Sequence, residues 1–172
     1  MTYIQTKRNG WCYLSPIMDL HSRQIIGYSF SKKMATDLVL KTLESAVKNR
    51  TITGDLIIHT GLGSQYTSDD YNQRLTELHI RHLYSRKGCP YDNVPMESFH
   101  ASLKKECVYP VPVFEDYETA AAVLLNMGML STIGREFIVH WATRRPPYKL
   151  KSQHLRAKWP PDLMLSMVQI SY

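Results

Sequence analysis

Two short segments hold the residues that could do chemistry: His59-Thr60-Gly61-Leu62-Gly63-Ser64-Gln65-Tyr66 and Tyr91-Asp92-Asn93-Val94-Pro95-Met96-Glu97-Ser98-Phe99. They are separated as the halves of a two-metal nuclease core are separated, with 35 residues, Leu62 to Met96, between Gly61 and Glu97. In such a core a phosphodiester is displaced in line, and two divalent cations roughly 3.5–4 Å apart activate the attacking oxygen and stabilise the leaving one. Mg²⁺ is bound through a few carboxylate oxygens, with water and substrate phosphate completing its octahedron, so every acid counts. Glu97 brings one carboxylate, and Gly61 brings none.

Other residues compete for notice. Gly61-Leu62-Gly63 is too short for a phosphate-cradling fingerprint, which needs a longer glycine pattern. His59 and His100 have no second His or Cys at ligand spacing and read as a core and a surface histidine respectively. A glutamate at a helix start is also favoured by the macrodipole, which is the bland account of Glu97.

The two segments, with the opening of the chain, resemble the catalytic core of the integrase-like insertion-sequence transposases, a DDE-type family. That family reads H-[ST]-D-x-G-S-Q-Y where this chain has His59 to Tyr66, and it carries a helical glutamate in the context seen at Pro95-Met96-Glu97-Ser98-Phe99. Thr2-Tyr3-Ile4, Gly10-Trp11, Asp19-Leu20-His21-Ser22-Arg23 and Ile26-Gly27-Tyr28-Ser29 resemble its opening hairpin. The resemblance implies a Mg²⁺-dependent polynucleotidyl transferase acting on DNA. It also implies that the first catalytic acid stands directly ahead of Met1 and the second at Gly61, so that Glu97 alone survives and Mg²⁺ is not bound productively. Arg86, Lys87, Lys104 and Lys105 become candidate DNA-phosphate contacts, against the alternative of a solvated face. Asp19 belongs to a family segment outside the three catalytic acids and reads as a structural turn.

Composition agrees. At 172 residues, 44% hydrophobic and 21% charged, the chain suits one globular domain with a real core. No apolar run is long enough to span a bilayer and no signal-peptide pattern opens the chain, so a cytoplasmic address is expected. Cys12, Cys89 and Cys107 are odd in number and widely spaced, unlike a disulfide framework or a zinc module.

The elements that must position these residues follow from periodicity. Residues 2–5, 11–18 and 24–30 read as three antiparallel strands, and 35–48 as a crossover helix. Residues 55–59 form a buried strand that delivers Gly61, Ser68 caps a helix running to about Leu78, and 79–84 form a fifth strand. The turn-rich stretch 86–94 leads into a helix over 96–106, with Pro95 at its start, Glu97 in its first turn and Lys104 on the same face. The expected fold is therefore α/β and ribonuclease H-like, a mixed five-stranded sheet flanked by helices, with the first strand truncated.

Residues 1–125 form this expected core, and 126–172 an irregular tail. After Leu124 the family pattern F-Y-N-x-x-R-x-H-x-x-L-G-Y-x-[ST]-P is missing, yet reading one base over between codons allows it across Asn126 to Pro146. Trp141, with its single codon, forces the Leu and Gly of that pattern. A frameshift near Leu125 accounts for both observations. The tail holds seven Lys/Arg against Glu136 and Asp162, five of the six net positive charges, so the overall basic charge says little about DNA. Its Pro-Pro pairs, 146–147 and 160–161, break helices. Apolar segments, including residues 164–170, lack a designed partner, so the tail is expected to lie loosely and to favour self-association. Three readings result: an inactive transposase-core homologue associated with DNA integration and nucleic-acid binding, a non-enzymatic module that associates with intact transposase, and a decaying remnant.

Overall fold

The computed structural model describes residues 1–50, 55–87, 90–124 and 167–169. Strands β1 (Thr2–Thr6), β2 (Gly10–Asp19) and β3 (Ile25–Ser31) form an antiparallel meander. The first turn depends on Gly10, whose φ of 69° lies in the left-handed region that other residues resist. Thr6 braces it, with Oγ1 donating to Gly10 O at 2.9 Å and accepting from Asn9 N at 3.2 Å.

Helix α1 (Thr36–Asn49) crosses over to β4 (Ile57–Thr60). Helix α2 (Asp69–Glu77) then leads to β5 (Arg81–Tyr84), which pairs parallel with β4. Ser68 caps α2 as expected, its side chain accepting from Tyr71 N. A 3-10 turn, Pro90–Asn93, enters α3 (Val94–Leu103). The helix expected over 96–106 thus starts earlier, with Pro95 in its first turn, and its α-helical hydrogen bonds reach Lys104 N, which donates to His100 O. A π-helical turn, Lys104–Val108, follows, closed by Tyr109 N donating to Lys104 O at 2.8 Å.

Helix α4 (Tyr117–Leu124) was not anticipated as an element. Asp116 starts it by accepting from Thr119 N and Thr119 Oγ1, and three consecutive alanines favour the helix. Tyr117 fastens it to the meander: its ring stacks on Phe30 at 4.8 Å and its hydroxyl donates to Phe30 O.

Among the described residues the sheet has the five expected strands and a sixth. The sixth, β6 (Met167–Gln169), comes from the segment expected to be irregular and lies between β2 and β4, antiparallel to the first and parallel to the second. The physical reason is a central lane beside β2 that β1 fills only as far as Leu14. The other features expected of the tail, over residues 125–166 and 170–172, lie outside the described residues.

Helices cover both faces. Because strand side chains alternate, Cys12, Leu14 and Met18 of β2 join Ile4, Phe30, Met96, Phe99, Leu103 and Leu124 in one core, while Ile17 joins Leu38, Leu43, Ile58, Tyr66, Tyr71 and Leu75 in the other. At Gly27 the backbone of β3 meets α1 directly: a Cβ there would lie 2.6 Å from Ala46 N and 2.7 Å from Thr42 O. Both are backbone atoms and cannot rotate away. Gly27→Ala should therefore push α1 off the sheet and lower stability by about 1–3 kcal/mol, read as a lower urea midpoint, whereas Gly10→Asn should cost less because no atom lies within 4 Å of that site.

Candidate functional site

Gly61 is the residue that β4 delivers, buried directly after Thr60. Thr60 Oγ1 lies 3.0 Å from Gly61 O and 2.8 Å from His82 Nε2. The other ring nitrogen, His82 Nδ1, is 2.8 Å from Asn72 Oδ1, which also accepts from Tyr84 Oη at 3.1 Å. Asn72 Nδ2 donates to Ser68 O, so its oxygen faces the ring and His82 Nδ1 carries the proton. In the neutral ring Nε2 is then an acceptor, and the single Thr60 hydroxyl proton is contested between it and Gly61 O. Sequence reasoning missed this network, although His82 and Tyr84 at alternate positions of a strand beside Thr60 were a usable signal.

Glu97 stands exposed in the first turn of α3 because Met96, Phe99, His100 and Leu103 take the buried face. His100 contradicts its assignment as a surface histidine: it is 8% exposed, and its Nε2 has no hydrogen-bond partner among the described residues. The position follows from helical spacing, since His100 continues the face of Met96 and Phe99. Burial, with lesser contributions from the Met1 amino group and Lys104, pushes its pKa down to about 2. Met1 is buried too, and its amino group is lowered to about 4 by desolvation.

Asp19 is committed to structure, as expected. Oδ1 accepts from His21 N at 2.9 Å, and Oδ2 accepts from Ser22 Oγ at 2.7 Å and pairs with Arg50 Nη1 at 2.7 Å. This holds the turn in which Arg23 adopts a φ of 58°. The basic candidates fall into two groups at opposite ends of α3, about 15 Å apart for a ten-residue helix. Arg86, exposed, pairs with Asp92 at 3.5 Å just ahead of α3, beside exposed Lys87. Lys104, half-buried, and Lys105, exposed, follow its last turn. Among the described residues no group of three or more His, Cys, Asp or Glu could hold a metal ion, and a glycine supplies no side-chain oxygen, so the donors do not fit a two-metal centre.

Among the described residues, three groups whose ordinary pKa lies between about 6 and 8 bind protons less readily in the folded chain than in the unfolded one: Met1, down to about 4 from 8.0, and His82 and His100, down to about 4 and about 2 from 6.5. His82 is lowered mainly by burial and then by His59. Their contribution to stability is whole above pH 8.0 and falls as the pH drops, because the unfolded chain takes up protons first. Urea midpoints should fall steadily from about pH 8 to about pH 4, and His100→Gln should flatten the part of that slope below pH 6.5. A midpoint indifferent to pH over this interval would contradict the burial of these groups.

Comparison with known proteins places this architecture. The integrase core domain family matches residues 1–90. Transposase InsF for insertion sequence IS3A of Escherichia coli (strain K12) is 42% identical over 109 residues, which cover 63% of this chain and 38% of that protein. The transposase for insertion sequence element IS904 of Lactococcus lactis subsp. lactis (strain IL1403) is 44% identical over 108 residues, covering 63% and 42% respectively. The chain therefore spans about two fifths of the length of these relatives. Among solved structures, a chain of the simian T-cell lymphotropic virus intasome in complex with PP2A regulatory subunit B56 gamma superposes with a TM-score of 0.59 at 19% identity, covering 75% of this chain and 46% of that one, a likeness of fold alone. No helix among the described residues is long and apolar enough to cross a membrane. Matched by that family over more than half of its length, with a mixed sheet covered by helices on both faces, the chain belongs to the integrase core domain family and has its ribonuclease H-like fold.

Proposed function

We propose that this transposase-core homologue binds DNA but does not itself cleave or join it. The observation that carries the reading is Gly61: the backbone at the exit of β4 is kept, and the carboxylate that the two-metal reaction requires there is absent. Asp19 is held by Ser22 and Arg50 and is poorly placed to substitute. Glu97 is exposed and, with no carboxylate at Gly61, holds one divalent cation weakly at most. Arg86, Lys87, Lys104 and Lys105 flank α3 and contact phosphates, giving affinity without base readout. Integration is the process from which this binding derives.

Purified protein incubated with labelled insertion-sequence ends and Mg²⁺ or Mn²⁺ should show neither donor cleavage nor strand transfer, and Glu97→Gln should be indistinguishable from the parent. Metal-dependent turnover abolished by Glu97→Gln would overturn the inactive reading.

DNA binding is tested separately. Affinity should fall with salt, and Lys87→Ala and Lys105→Ala should each reduce the slope of log K against log salt by about one without changing sequence preference. Unchanged slopes would make these side chains a solvated face.

A further inference from the structure

The lane between β2 and β4 is filled by two separate pieces of chain. On β2 the partners of β1 end at Thr2↔Leu14, and those of β6 are Met18↔Gln169 and Asp19↔Val168. Each step backward along β1 advances one step along β2, so Gln169 and Val168 occupy the third and fourth places ahead of Met1 in the β1 register. The direction agrees as well, since both pieces run antiparallel to β2. β6 is thus collinear with β1 and in register with it. On its other side β6 pairs parallel with β4 through Ile57↔Met167, Ile58↔Val168 and His59↔Gln169. Among the described residues it is the only strand joining β4 and β5 to the meander.

The lane is also buried. With β6 in place, Met18, Asp19, Ile57, Ile58 and His59 are each no more than 7% exposed, so any N–H or C=O group that β6 left unpaired along these edges would be shut away from water. Each such group costs about 1–3 kcal/mol. That cost depends on backbone, not on side-chain identity, so an extended segment of modest sequence quality is enough to meet it.

We propose that this lane is a strand-acceptor slot which the chain's own C-terminal strand, Met167–Gln169, fills in cis, and that an extended segment continuing β1 ahead of Met1 competes with it for the same backbone hydrogen bonds. The two occupants exclude each other from the third place ahead of Met1 onward. The C-terminal strand therefore holds the sheet together at the position where a longer first strand would otherwise run.

Hydrogen exchange on the unaltered full chain tests the first half. Amides of 167–169 should exchange at least roughly tenfold more slowly than unstructured chain, with protection independent of protein concentration. Exchange at unstructured rates would overturn the proposal, and protection that falls on dilution would too, since the strand would then come from a second copy. The second half uses the full chain extended ahead of Met1 by a short run of β-branched residues. Amides of 167–169 should lose protection while those of 57–60 keep it, whereas continued protection of 167–169 would overturn the competition. Val168→Pro, against Val168→Thr as a strand-forming control, should accelerate exchange in 15–19 and 57–60 and leave 10–14 slow. Unchanged exchange in those two segments would show that β6 does not fill the lane.

Discussion

The structure depends on β2, a ten-residue strand paired along both edges and buried on both faces. Its Cys12, Leu14 and Met18 support α3 and α4, while Ile17 faces α1 and α2. β1, β3 and β6 pair with it directly, and β4 and β5 join it through β6. Such a strand has no solvent to satisfy its backbone, so the hydrogen bonds on its edges are obligatory. This explains why a distant three-residue segment enters the sheet while no local pattern announces it.

Packing and chemistry are separable in this domain. Helix α3 is held by Met96, Phe99 and Leu103, and these would hold it whatever stood at position 97. β4 is held by Ile57 and Ile58, and the residue after its end is absent from both core clusters. A carboxylate is therefore not needed at Gly61 for the sheet to form, nor at position 97 for α3 to pack.

The buried polar groups show where the interior is less well settled. His100, on the buried face of α3, has one nitrogen unmatched among the described residues and is driven towards its neutral form. His82, by contrast, is matched on both nitrogens by Asn72 and Thr60. One histidine organises the strand ends around Gly61, and the other is a point of electrostatic cost close to Glu97.

Much of this was legible in the chain itself. Alternation placed β1, β2 and β3 within a residue or two of their observed ends, helical spacing found α1 and α2, and the two motifs located Gly61 and Glu97 on a strand exit and a helix start. The family followed from those motifs, because residue type and short-range order encode them directly. Only the tertiary structure decided that Arg50 closes the turn on Asp19 and that residues 167–169 lie between β2 and β4. Local periodicity encodes which face of an element is apolar. It does not encode which distant segment will satisfy an open row of buried backbone donors and acceptors, since that match is made by hydrogen bonds common to every residue.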